Sequence, residues 1–190
     1  RGSPETSTMK ILALDLATKT GWALLANGVT SCGVVNFGNG KKKADGKDPD
    51  APQARFEDWI AKHIRLWKID VVVYEEVYRW MSQRAANIYN GQRGYMRSKA
   101  YRCGIKRVSY SPPTIKKHFT GNGHAKKKDM IAEAERRWPS LEIIDDNQVD
   151  ALAILSLYCD MTNNPNIIDP GLFNTDTYRW ADTPQPTDPS

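Results

Sequence analysis

The sequence predicts an α/β fold: a mixed five-stranded sheet, three antiparallel strands first, flanked by helices. Three observations carry that expectation. Two apolar runs, Lys10 to Asp15 (KILALD) and Asp70 to Glu75 (DVVVYE), have the length and composition of buried strands, and each ends in an acid. Asn27-Gly28 separates two further strand-like runs and is the strongest short signal for a hairpin. From residue 53 onward, segments with helical apolar spacing alternate with short strands, the pattern of a sheet covered by helices.

Lys10 to Asp15 opens the sheet, Gly21 to Ala26 is its second strand, and Val29 to Phe37 follows through the Asn27-Gly28 turn. Gly38 to Pro52 is rich in Gly, Lys and Asp without periodicity, so a loop is expected there. Gln53 to Trp67 places Phe56, Trp59, Ile60, Ile64 and Trp67 at helical spacing and leads into the Asp70 to Glu75 strand. Ser82 to Arg102 lacks proline and reads as a long helix, in which Gly91 and Gly94 permit close packing or a local irregularity. Arg107 to Tyr110 is a short strand stopped by Ser111-Pro112-Pro113, whose prolines suit the first turn of a helix to about Phe119. The order is β-β-β-α-β-α-β-α-α, with Met130 to Trp138 continuing a helix up to Pro139. Asn147 to Met161 is a final apolar helix opening on acids. From Thr162 an irregular tail is expected, docked in part through Leu172, Phe173, Tyr178 and Trp180.

The 190 residues, 40% of them hydrophobic, suffice for one core and one domain, taken as residues 9–162 between a small polar leader (1–8) and the tail (163–190). Lys and Arg number 27 against 22 Asp and Glu, a net charge of +5. The cations come in runs, at Lys41 to Lys43, Lys116-Lys117 and Lys126 to Lys128, a distribution that suits a polyanionic partner. Cys32, Cys103 and Cys159 are odd in number, widely spaced and without a CxxC pair, which fits reduced thiols and excludes a disulfide framework. No run reaches the roughly 18 apolar residues of a membrane span. A soluble, cytoplasmic protein with no membrane partner is expected.

Four acids define the candidate chemistry: Asp15, Glu75, Asp146 and Asp150. Each has a bland alternative. Asp15 after a strand is a common turn starter, Glu75 and Glu76 at a strand end commonly face solvent, and Asp145 with Gln148 three residues on resembles a helix capping box. Against this, Asp146 and Asp150 share a helix face, as do Asn147 and Asp150, and Asp150 precedes an apolar stripe. A carboxylate half-buried there needs a partner, and a divalent metal is a suitable one. An acidic metal site within a basic chain points to nucleic acid as substrate.

LALDLATKTGWAL, VVVYEEV, IKKHFTGNGHAKKKDMI and DDNQVDALAI together resemble, in order and spacing, the signature blocks of the RuvC family of Holliday junction resolvases. The resemblance covers about Lys10 to Asp160. It implies an RNase H-like fold with Asp15, Glu75 and Asp150 as metal-binding carboxylates. The family offers a further ligand one turn before the last Asp; here Asn147 lies three residues before Asp150 and Asp146 four. Either Asp146 supplies that ligand from the same helix face, the favoured reading, or Asn147 does so through its amide oxygen. The divergent last block suits a bacteriophage branch of the family.

The resemblance also places Lys116 and Lys127 beside the scissile phosphate, with Lys126 and Lys128 as further DNA contacts, and Tyr78 as a base-stacking wedge at the branch point. Gly121-Asn122-Gly123 would let backbone amides approach a phosphate. The implied reaction is hydrolysis of a phosphodiester with two Mg2+ ions per site, Mn2+ substituting. Paired nicks imply a homodimer on a four-way junction. Ile88, Tyr89, Tyr95, Met96 and Tyr101 offer a two-fold interface or pack on the sheet, leaving Arg84, Arg93 and Arg97 toward DNA or solvent. The competing readings are a broader branched-DNA (fork and flap) nuclease and a non-catalytic junction-binding protein. An actin-like ATPase shares only the first block.

Overall fold

The computed structural model describes residues 9–38, 50–80 and 82–163; the leader, the Lys41 to Lys43 run and the tail positions Leu172, Phe173, Tyr178 and Trp180 lie outside them. Three strands come first, β1 (Ile11–Asp15), β2 (Lys19–Ala26) and β3 (Val29–Asn36), and Asn27 and Gly28 both take positive φ, 53° and 77°, in the turn between the last two. Helix α1 (Ala51–Trp67), β4 (Val71–Glu75), α2 (Gln83–Arg102) and β5 (Lys106–Tyr110) follow. The chain then runs through α3 (Pro112–Thr120), α4 (Lys127–Arg137) and α5 (Asp146–Met161). The sheet order is β3-β2-β1-β4-β5, with β1 antiparallel to β2 and parallel to β4. This is the mixed five-stranded sheet that the sequence predicts.

Alternation along the strands divides the core into two layers. Ile11, Ala13, Val71 and Val73 face α3, α4 and α5, whereas Leu12, Leu14, Val72 and Tyr74 face α1 and α2. Helix α5 is apolar on nearly every side, from Val149 to Cys159, because it is sandwiched between the sheet and its neighbouring helices. Each fully buried Leu or Ile there stabilises the fold by about 1.5–3 kcal/mol. That packing fixes the helix, and with it the acids at its start, against the strand ends.

Three helices, not two, follow β5. The chain breaks because Gly121 takes a left-handed cap (φ 80°) after Thr120, and Asp129 then accepts a hydrogen bond from the Lys126 amide to start α4 afresh. The expected capping box of α5 is also only half formed. Asp145 caps the Asn147 amide, whereas the Gln148 side chain accepts from Ile144 instead of returning to Asp145. Among the described residues no disulfide joins Cys32, Cys103 or Cys159. Among the described residues no helix is long and apolar enough to cross a membrane.

Candidate active site

Asp15 and Glu75 close two adjacent parallel strands whose register pairs Leu14 with Tyr74, so the next positions carry the two acids side by side. Both follow the alternation of Ile11, Ala13, Val71 and Val73 and therefore project toward α5. The start of α5 is brought to them by a close backbone approach. Gly21 stands opposite Asp15 on β2, and a Cβ built there would overlap the carbonyl of Asn147. Asp146 and Asp150, one turn apart, thereby join the strand-end acids.

The electrostatics record that convergence. Asp15 retains some accessible surface, yet the protein mass around it, together with Asp150, Glu75 and Asp146, holds its carboxyl well above the usual range, against the pull of Lys127. Burial and Asp150 push Glu75 to about 7, opposed by Lys116. Burial and Asp146 push Asp150 to about 6, opposed by Lys116 and Lys127. A pocket of about 200 Å³ opens between Glu75 and Asp150, with Lys116 and Lys127 on its walls and Pro112, Ile115, Met130 and Ile154 as its apolar lining.

The neighbouring Asp145 shows the opposite behaviour. Burial would raise it, but an ion pair with Lys19 and hydrogen bonds from Asn147 outweigh that and hold it below the ordinary value. Asp145 is thus spent on capping. Asn147 is oriented by the same residue: its amide Nδ2 donates to Asp145 Oδ1 at 2.5 Å and its backbone N to the same oxygen at 3.0 Å, bonds that do not use its amide oxygen. Asp146 instead pairs with Lys127, whose own pKa it raises. Of the two sequence alternatives at this turn, Asp146 is the one that shares the field of Asp15 and Asp150.

Among the described residues no three His, Cys, Asp or Glu side chains close into a finished metal cage. The donor set nonetheless fits a hard divalent cation. It is made of carboxylate oxygens alone, and neighbouring carboxylates help to raise the pKa of Asp15, Glu75 and Asp150, so an added positive charge would relieve repulsion that Lys116 and Lys127 only partly offset.

The remaining candidates divide. Lys116 is half-buried in the pocket wall, while Lys126, Lys127 and Lys128 form an exposed run at the start of α4. Tyr78 is 73% exposed just beyond Glu75, as a stacking side chain would need to be, and Arg84 and Arg97 are exposed on α2. Arg93 is partly exposed and ion-paired with the buried Glu76, which removes Glu76 from the acidic group. Tyr89 and Met96 are core residues, so less of α2 is left for an interface than the sequence suggests; Tyr101 is 75% exposed. The Gly121-Asn122-Gly123 turn uses the amides of Gly121, Asn122 and His124 internally.

Sequence reasoning missed the contacts that hold the acids' backbone. The Tyr89 hydroxyl bridges Glu75 and Val77, and Gln92 reaches the Ala17 carbonyl. Nothing local marks either residue, since both contacts cross from α2 to loops far away in sequence.

The model of the family described as crossover junction endodeoxyribonuclease RuvC matches residues 11–157. A protein of that name from Synechococcus sp. (strain WH7803) is 27% identical over 154 residues, covering 77% of this chain and 95% of its own length. One from Rhizobium leguminosarum bv. trifolii is 26% identical over 150 residues, covering 78% and 88%. Among solved structures, Thermus thermophilus RuvC in complex with a Holliday junction substrate aligns with a TM-score of 0.63 at 18% identity, covering 84% of this chain and 99% of that one. The yeast mitochondrial Holliday junction resolvase Ydc2 aligns at 0.55 and 14% identity, covering 80% and 78%. At such identities the two structures speak to the fold.

Proposed function

The chain belongs to the RuvC family of crossover junction endodeoxyribonucleases, and from that premise we propose that it resolves four-way DNA junctions by hydrolysing phosphodiester bonds at the Asp15, Glu75, Asp146 and Asp150 site. The observation that carries the site assignment is the convergence of these acids from two strand ends and one helix, with raised pKa values at Asp15, Glu75 and Asp150 and two lysines beside them.

Asp15, Glu75, Asp146 and Asp150 would hold two magnesium ions, or manganese in their place, which when bound would supply water activation and charge neutralisation at the departing 3′ oxygen. The side chains themselves do the rest. Glu75 and Asp150 would have to be ionised to hold a cation, and with pKa values of about 7 and about 6 that ionisation falls near neutral pH, where a bound cation would favour it further. Lys127, exposed and drawn toward Asp146, offers its ammonium to a phosphate at the mouth of the pocket, and Lys116 does so from the wall. Lys126, Lys128 and Arg84 add phosphate contacts that position the backbone without reading sequence. Tyr78 presents its ring to an unstacked base. Each chain provides one such site, so paired nicks require two copies, a homodimer on one junction.

The test incubates the protein with a labelled four-way junction and a matched linear duplex, with magnesium or chelator, beside Asp15→Asn. Magnesium-dependent paired nicks in the junction, abolished in the variant while junction binding persists, are expected. Binding without cutting under every condition would instead make the chain an architectural junction binder, and equal cutting of forks and flaps would make it a broader branched-DNA nuclease.

A further inference from the structure

Helix α2 carries Tyr89, Gln92 and Arg93 at i, i+3 and i+4, one face of one helix. Each reaches the backbone or side chains just after a strand end that bears a candidate metal ligand. The Tyr89 hydroxyl donates to the Glu75 carbonyl at 2.8 Å and accepts from the Val77 amide at 3.1 Å, tying down both sides of the turn that leads from Glu75 to Tyr78. Gln92 Nε2 donates to the Ala17 carbonyl at 3.0 Å, two residues beyond Asp15, and the Thr20 hydroxyl donates to the same carbonyl at 2.7 Å. Arg93 pairs with Glu76. β1 and β4 end at their acids; beyond them the Glu76 amide donates to the Tyr110 carbonyl at 2.8 Å and the Phe37 amide to the Thr18 carbonyl at 2.8 Å, and the α2 side chains add the contacts at Val77 and Ala17.

Gln92 is the informative member. It is fully buried, and its Oε1 has no hydrogen-bond partner among the described residues. A buried acceptor left unpaired destabilises a fold, and an apolar side chain of the same size would avoid that loss. What the amide adds is its hold on Ala17, and therefore on the turn that follows Asp15.

We propose that Gln92 and Tyr89 are positioning residues for the nuclease reaction: by fixing the turns after β1 and β4 from a single helix face, they set the spacing of Asp15 and Glu75. The inference rests on the proposed function, because spacing matters only if those acids act together on a metal-assisted reaction. Small displacements of reacting groups are enough to slow such chemistry by roughly 10²-fold.

Gln92→Met separates positioning from packing, because removing an unpaired buried acceptor leaves the melting temperature unchanged or higher. Positioning predicts that kcat on the junction falls roughly 10- to 100-fold with KM unaltered, and that amide exchange of residues 16–18 accelerates. Tyr89→Phe keeps the ring, lowers kcat in the same way and frees the Val77 amide to exchange. Unchanged kcat in Gln92→Met, or a fall in kcat that only tracks a fall in melting temperature, would overturn the assignment, as would unaltered exchange in both loops. A parent protein that binds the junction and never cuts it would overturn the proposed function first, and this inference with it.

Discussion

The two ends of the sheet gather opposite charge and use it differently. At the end where β4 and β5 begin lies the larger cavity, about 630 Å³, rimmed by Lys62, Arg65, Lys68 and Lys99 with Asp58 and Asp70. There Asp70 is satisfied: its carboxylate accepts the Lys10 amide at 2.8 Å, a stitch between neighbouring strand starts. At the opposite end the pocket is about a third of that size, yet Asp15, Glu75, Asp146 and Asp150 crowd one another, and three of them have raised pKa values. Volume does not distinguish the end proposed to bind a cation. Uncompensated like charge does, because a fold keeps such strain where a ligand of opposite sign is to be bound.

That contrast is sharpened most by Gly21→Ala. The added methyl meets the Asn147 backbone, which no rotamer change can move, so α5 must shift. A loss of roughly 1–3 kcal/mol in unfolding free energy is expected, with a fall in cutting rate that melting curves and single-turnover assays would register together; a neutral variant would show that the helix start is not pinned by this contact. Lys127→Ala comes next. It should weaken cutting and lower the slope of log affinity against log salt by about 1 without changing how many divalent ions bind, as titration would report. Equal rate and affinity would return Lys127 to a solvated helix end. The smallest effect is expected at the far end: Lys62→Ala should leave stability within about 0.5 kcal/mol and the cutting rate as it was. A large loss of cutting there would break the comparison.

Much of this was legible in the chain. The strands, the positive-φ turn at Asn27 and Gly28, and the placing of Asp15, Glu75 and Asp150 follow from local signals: apolar runs that end in acids, and a helix start whose acids share a face. The separate α4 was less visible, since the Gly121 cap competes with an otherwise helical composition. Tertiary contacts could not be read at all. Glu75 and Glu76 are neighbours of identical type, and only the position of Arg93 on another helix makes one a structural ion pair and leaves the other in the pocket. Likewise the four-residue spacing puts Asp146 on the face of Asp150, but nothing in the sequence says that Lys19 will pair with Asp145.

The central claim, that the crowded acids form a divalent-cation site, has a direct thermal test. Glu75 and Asp150 are pushed up to about 7 and about 6 in the folded protein, from ordinary values of 4.5 and 3.8. The folded state therefore binds more protons than the unfolded one between those limits, and its stability falls as pH rises through them. His63, whose pKa burial lowers, acts in the opposite sense below 6.5, so the informative quantity is the difference between the parent and Asp150→Asn. Melting temperatures should be measured for both proteins at about pH 5 and pH 8, with magnesium and with chelator. The account predicts that magnesium raises the parent's melting temperature at the higher pH far more than at the lower, and that Asp150→Asn melts higher than the parent in chelator at the higher pH while losing most of the magnesium response. An equal magnesium response at both pH values, or one that Asp150→Asn retains in full, would contradict it.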